Sequence, residues 1–387
     1  MLKEVSYYYP ILFFVGAYVL TYLTIPKIIK IVEYKNLMDN PNNRSSHVHK
    51  TPTLGGASFF YALIFALFFL KGWCNHHEAI YFIPGLTILF IVGLKDDLLV
   101  LSPYTKLIAQ FISVLFILSN ESFTIHSLNG FFGIYEIPIY LYYIVGAFIM
   151  VTIINAYNLI DGIDGLAAIV GIVILIIYAT IFYMTKEYFY VLISLTLNGC
   201  LIAFLKYNLS SNESEEKIFM GDTGSLIAGY IISILTIKFL SLSAEKYDSL
   251  PFLMENIPLI AISILIVPLF DTARVFTIRL ANKRSPFSAD RNHTHHILVD
   301  YFKISHQKAS FIIGGFNLVF VYLFIILGSE SYNFWLATIL VATVIILGYF
   351  FFIFDYSFRN IKRKIRYRKK VEKAREKGKK ILKKKKY

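Results

Sequence analysis

The chain has 387 residues, 57% of them hydrophobic and only 16% charged, a balance that a water-soluble domain could reach only by exposing large apolar surfaces. Its net charge of +13 does not signal nucleic-acid binding, because Phe358–Tyr387 carries 17 Lys and Arg against Glu372 and Glu376, which leaves the rest of the chain at −2. The two cysteines, Cys74 and Cys200, lie far apart without metal-ligand spacing, so neither a disulfide framework nor a zinc site is indicated.

In chain order, apolar runs long enough to cross a hydrocarbon core of about 30 Å predict spans over 8–30, 54–71, 79–94, 104–119, 139–155, 163–184, 187–205, 223–241, 257–280, 308–328 and 333–355. This is the pattern of an all-α integral membrane protein with about eleven transmembrane helices. The opening Met1-Leu2-Lys3-Glu4 lacks the features of a cleaved signal, so the first run is expected to stay as a span. Placing the basic tail in the cytoplasm puts the N-terminus outside, and loops 31–53, 95–103, 156–162, 206–222 and 281–307 inside. Those loops hold Lys35, Arg44, Lys50, Lys95, Lys206, Lys217, Lys283, Arg284, Arg291 and Lys303. The outside segment 120–138 has no Lys or Arg and alternates like a small extracytoplasmic hairpin. Residues 1–357 are expected to form one polytopic catalytic domain, and 358–387 a cytoplasmic tail drawn to anionic headgroups.

The Asp-, Asn-, Gly- and His-rich segments all fall in the inside loops. A transporter or flippase for a phosphorylated solute, the alternative reading, would place polar groups at helix midpoints and show paired repeats. In the first loop, Lys50 and the step Pro52-Thr53-Leu54-Gly55-Gly56 suggest phosphate binding. In the second, Asp96 and Asp97 are adjacent acids that repel unless a cation or a proton intervenes; alone they would read as solvated loop acids. In the third, Asn155, Asn158, Asp161 and Asp164 recur every three residues and would line one helical face, with Gly162 and Gly165 allowing close approach.

Asp222, in Met220-Gly221-Asp222-Thr223-Gly224-Ser225, begins an apolar helix. It reads either as an N-cap or as a Mg²⁺ ligand beside N–H groups open to phosphate. The fifth loop holds Arg291, His293, His295 and His296. The acid-rich surroundings favour a hard, oxygen-bound metal over zinc, so these histidines suit phosphate oxygens and sugar hydroxyls. Asp271 and Arg274, inside the ninth span, are either functional or an ion pair that holds the helix.

Taken together, the Pro-Thr-Leu-Gly-Gly step, the Asp-Asp pair, the Asn-x-x-Asn-x-x-Asp-Gly-x-Asp-Gly-Leu-Ala run, the Met-Gly-Asp-x-Gly-Ser step and the His-x-His-His loop resemble the polyprenyl-phosphate N-acetylhexosamine-1-phosphate transferase family across residues 39–296. The form Ser-Pro-Phe-Ser-x-Asp-Arg-x-His-x-His-His is closer to the WecA/TagO branch, which uses UDP-GlcNAc, than to the MraY branch. A CDP-alcohol phosphotransferase would need an Ala-Arg pair between its aspartates, and Asp161-Gly162-Ile163-Asp164 lacks one.

The resemblance implies transfer of a sugar-1-phosphate from a UDP-sugar to undecaprenyl phosphate in the inner membrane. That reaction initiates cell-envelope polysaccharide synthesis, uses Mg²⁺ (Mn²⁺ as a substitute), and a homodimer is compatible with it. It further implies that Asp96 and Asp97 act near the lipid phosphate, with Asp96 deprotonating it, and that Asp222 is the principal Mg²⁺ ligand. Asn158, Asp161 and Asp164 would then shape the nucleotide and metal pocket, Asn155 would join substrate binding, and Arg291, His293, His295 and His296 would contact sugar and pyrophosphate. Lys50 would complement phosphate charge. Some family members carry a third Asp where this chain has Val100, so a third carboxylate would have to come from Asp161, Asp164 or Asp222.

Overall fold

The computed structural model describes residues 8–35, 37–39, 51–72, 76–99, 101–210, 216–285, 293–330 and 333–351. Lys50, Val100, Arg291 and the basic tail lie outside the described residues. The helices are α1 (Tyr8–Tyr34), α2 (Ala57–Gly72), α3 (Ala79–Leu99), α4 (Pro103–Leu118), α5 (Ile139–Leu159), α6 (Leu166–Met184), α7 (Tyr188–Asn208), α8 (Gly221–Leu240), the single turn α9 (Ala244–Tyr247), α10 (Ile257–Ile264), α11 (Ile266–Ala281), α12 (Thr294–Phe302), α13 (His306–Glu330) and α14 (Asn333–Phe351). Eight of them are long and apolar enough to cross a membrane, and α10 with α11 makes a ninth, bent span; α2 and α4 are shorter apolar helices. The protein is thus an all-α, multi-pass membrane protein, and each of the eleven expected spans falls on one of these helices or on the bent pair.

Three local expectations change. The ninth span is broken by 67° between α10 and α11. Pro268 accounts for the break: it lacks an N–H for the carbonyl of Ile264, and its ring crowds that carbonyl. The segment 120–138 is no stranded hairpin; it holds a 3₁₀ turn at Glu121–Phe123 and a tight turn closed by one bridge, Phe131 to Ile134. The fifth loop contains a helix of its own, α12, which begins at the histidines.

α8 stands at the centre and is buried from Thr223 to Phe239, touching α2, α3, α5, α6, α7 and α10. With no lipid contact to favour large side chains, its N-terminal end packs on glycine. A Cβ on Gly56 would fall on the backbone of Gly224, and one on Gly93 would lie 2.6 Å from Thr223 Cα. The approach to α8 is stitched to the entry of α2 by backbone hydrogen bonds: Gly55 N donates to Phe219 O, Gly56 N to Met220 O, and Phe219 N to Pro52 O. These bonds consume the Gly55 and Gly56 N–H groups that the sequence pattern offered to phosphate.

Candidate active site

Described residues of the five loops, or of the helix ends beside them, meet at one end of the bundle. Asp96 and Asp97 lie on the last turns of α3, which runs to Leu99, and they face different partners. Asp97 caps α8 from outside: its Oδ1 accepts from Asp222 N at 2.7 Å, and its Oδ2 accepts from Thr223 N at 3.0 Å and Thr223 Oγ1 at 2.6 Å. A carboxylate satisfies the orphan donors of a helix start and complements its dipole. Asp97 therefore fixes Asp222 in place, and two of the N–H groups expected to be open to phosphate, those of Asp222 and Thr223, are taken. Asp222 is not itself the cap.

Asp96 accepts from Lys106 Nζ at 2.6 Å and from Leu101 N. Lys106, in the first turn of α4, also stands 3.3 Å from Asp222 Oδ2, and the Asp96 and Asp222 carboxylates lie within hydrogen-bonding reach of each other. Asn158 Nδ2 donates to Asp222 Oδ1 and, at 2.7 Å, to Ser225 Oγ. Asp96, Asn158 and Asp222 thus come together from three segments remote in sequence.

The run from Asn155 to Asp164 does not line one face. α5 ends at Leu159, and a turn containing Gly165 at φ +79° leads into α6. Asn155, one turn earlier, is braced against α4: Gln110 Nε2 donates to its Oδ1 at 3.3 Å, and its Nδ2 donates to Gln110 Oε1 at 2.6 Å. Its Nδ2 also donates to Val151 O at 2.8 Å, and the side chain stays half-buried.

Asp164 turns away to Lys217 at 2.7 Å and His306 at 3.5 Å. Burial alone would raise its pKa, but these two groups hold it below the usual carboxylate range. Asp161 carries no hydrogen bond on its carboxylate among the described residues. Burial, together with the charges of Asp222, Asp97 and Asp164, pushes it up to about 8. Asp161 thus feels the charges of Asp222 and Asp97 as well as that of Asp164, whereas Asp164 is paired with Lys217 and His306.

Asn208, at the end of α7, holds this turn: its Oδ1 accepts from Gly165 N at 2.6 Å and its Nδ2 donates to Ile218 O at 2.9 Å.

His293, His295 and His296 are buried and in mutual ring contact. His295 lies against Gly162, where a Cβ would collide with its Nε2. Burial drives its pKa well below the ordinary imidazole value, and Nε2 is buried without a hydrogen-bond partner. Asp271 accepts from His293 Nδ1 at 2.6 Å and from Thr294 N at 2.6 Å. Its role is thus to anchor the histidine loop on α11, rather than to be half of an intrahelical pair with Arg274. His293→Ala, Asp271→Asn and the double variant should each lower activity by a similar factor, roughly 10- to 100-fold, as residues acting through one hydrogen bond do. Fully additive losses would show that the contact is idle.

Sequence reasoning missed Lys106, Asn208 and His306, and it placed Lys217 only as a loop cation. Lys106 left a readable signal, since a cation in the first turn of an apolar helix is costly unless it is paired.

Asp96, Asp161, Asp222 and the Asn158 amide supply oxygen donors, and burial, with the charges of Asp222, Asp97 and Asp164, pushes the Asp161 carboxyl up. Among the described residues, no three acids or imidazoles already stand in ligating geometry, and Lys106 spans two of the carboxylates. An apolar bundle that gathers such groups at one end defines a membrane-embedded transferase acting on phosphorylated groups.

Residues 79–240 match glycosyl transferase family 4. The chain is 31% identical over 334 residues to the probable undecaprenyl-phosphate N-acetylglucosaminyl 1-phosphate transferase of Bacillus subtilis (strain 168), covering 84% of this chain and 87% of that one. It is also 28% identical over 264 residues to the undecaprenyl-phosphate alpha-N-acetylglucosaminyl 1-phosphate transferase of Yersinia pestis, covering 68% and 69%. The Escherichia coli (strain K12) protein of the same name is 24% identical over 271 residues, covering 70% and 71%. The chain belongs to glycosyl transferase family 4 and is a sugar-phosphate transferase.

Proposed function

We propose that the protein transfers N-acetylglucosamine 1-phosphate from UDP-N-acetylglucosamine to undecaprenyl phosphate, on the cytoplasmic face of the plasma membrane. An oxygen of the lipid phosphate bonds to the β-phosphorus, the bond from that phosphorus to the bridging oxygen breaks, and UMP leaves. The observation that carries this reading is the meeting of Asp96, Asn158, Asp161 and Asp222 with Lys106 at the end of an apolar bundle. The names of the relatives support the choice of sugar and lipid, and the cation-bearing loops support the cytoplasmic side.

Asp222 and the Asn158 amide oxygen would hold Mg²⁺, with Asp96 and Asp161 beside it. Bound there, the ion would neutralise charge growing on the pyrophosphate in the transition state. Asp96 would take the proton of the lipid phosphate, and Lys106 would steady phosphate oxygens of the donor beside it. His295, neutral and with Nε2 uncommitted, would meet a sugar hydroxyl or phosphate oxygen. The polyprenyl chain would lie along a cavity of about 420 Å³, lined almost wholly by apolar side chains, between α5, the 125–137 segment and the α10–α11 pair. It follows α5 from Leu141 to Ile153, about 18 Å at helical rise, and stops close to Asn155.

Purified protein should release UMP only when UDP-N-acetylglucosamine, polyprenyl phosphate and Mg²⁺ are all present. Chelation should reduce the rate to background and added Mg²⁺ or Mn²⁺ should restore it. Equal release from every UDP-sugar of a small panel would overturn the choice of donor, and full activity in chelator would overturn the metal.

A further inference from the structure

We infer that Lys106 holds, in the substrate-free enzyme, the place of a divalent cation, and gives it up only when the ion arrives together with the pyrophosphate donor. This rests on the metal reading above.

Both carboxylates that the ammonium touches are already satisfied without any metal. Asp96 uses its second oxygen on Leu101 N, and Asp222 uses its second on Asn158. Lys106 itself bridges the two, at 2.6 and 3.3 Å. An entering ion must therefore exchange one cation for another at Asp222, and the exchange recovers little attraction. A phosphate that enters at the same moment changes the balance, because it gives the displaced ammonium a new partner beside Asp96.

The geometry permits the movement. Side-chain exposure falls from 28% at Asp222 to 21% at Lys106 and 6% at Asp96, so the cluster opens on the Asp222 side, where the exchange must happen. The backbone of Lys106 is fixed: Lys106 N donates to Ser102 O, and Thr105 N donates to Ser102 Oγ, which caps α4. The four-carbon stem beyond it is free to swing. The inference explains why the described residues show carboxylates crowded together, yet no preformed ring of three ligands.

The test is Mn²⁺ binding to the purified full-length protein, followed by the electron paramagnetic resonance of free Mn²⁺, without lipid acceptor and with or without UDP-N-acetylglucosamine. Wild type should bind Mn²⁺ weakly alone and at least about tenfold more tightly with the donor present, as expected when a neighbouring unit charge is relieved at an interior site. Lys106→Met should bind Mn²⁺ alone about tenfold more tightly than wild type and lose most of the enhancement by donor, whereas Lys106→Arg should behave like wild type. Unchanged or weaker Mn²⁺ binding by Lys106→Met in the absence of donor would overturn the inference. Should Lys106→Met not fold, wild type decides: equally tight binding with and without donor overturns it. Asp222→Asn separates the two levels, since Mn²⁺ binding that is indifferent to this change would sink the metal site itself.

Discussion

Replacing Asp222 by Asn should lower UMP release by about a thousandfold or more, the scale on which losing a charge-stabilising group at a phosphoryl-transfer site is felt. The substitution keeps size and shape, and Asn retains an oxygen that can still accept from Asn158. The backbone N–H groups of Asp222 and Thr223 remain capped by Asp97, so α8 should start where it does now. What disappears is one negative charge at the most open of the clustered carboxylates. Thermal unfolding in detergent should therefore be nearly unchanged while activity is lost. A variant that retains more than a tenth of wild-type activity would show that Asp222 has no central part in the chemistry. Asp97→Asn provides the contrast: its amide group would face the N–H groups it should accept, so that variant should lose stability as well as rate.

The second large effect concerns packing. Gly56→Ala should destabilise the protein by roughly 1–3 kcal/mol or more, the usual cost of forcing atoms into a closed contact, because the added methyl meets backbone of Gly224 and not a side chain that can move. Gly16→Ala makes the same chemical change in α1, where nothing lies within 4 Å of the new Cβ. It should be neutral or gain about 0.5–1 kcal/mol from helix propensity. The comparison of the two melting temperatures is the measurement; equal behaviour would mean that α2 and α8 do not cross on their glycines.

The spans were legible because each is an apolar run bounded by polar residues, and the polar islands announced where the chemistry sits. What local spacing could not reveal was which residue faces which. Asp97 and Asp222 are 125 positions apart, and nothing near either one shows that the first caps the helix of the second. Adjacent acids look alike in a sequence, yet Asp96 faces a lysine and Asp97 a helix end, because neighbouring positions on a helix point about 100° apart. The run of Asn and Asp every three residues was misleading for a physical reason: such spacing makes a face only while the helix lasts, and α5 stops at Leu159. Gly162 and Gly165, both in view, were the signs that it would stop. Pro268 likewise marked the break in the ninth span.

The burial of α8 from Thr223 to Phe239 has a consequence for how the protein is made. Its neighbours α2, α3, α5, α6 and α7 precede it in the chain, and α10 follows. Until α8 is made, Asp97 lacks the N–H donors of Asp222 and Thr223 from which it accepts in the finished fold. Asp271 and the three histidines follow α8 in the chain, so the site is complete only once synthesis has passed His296, and a fragment ending at α8 holds its acidic half alone.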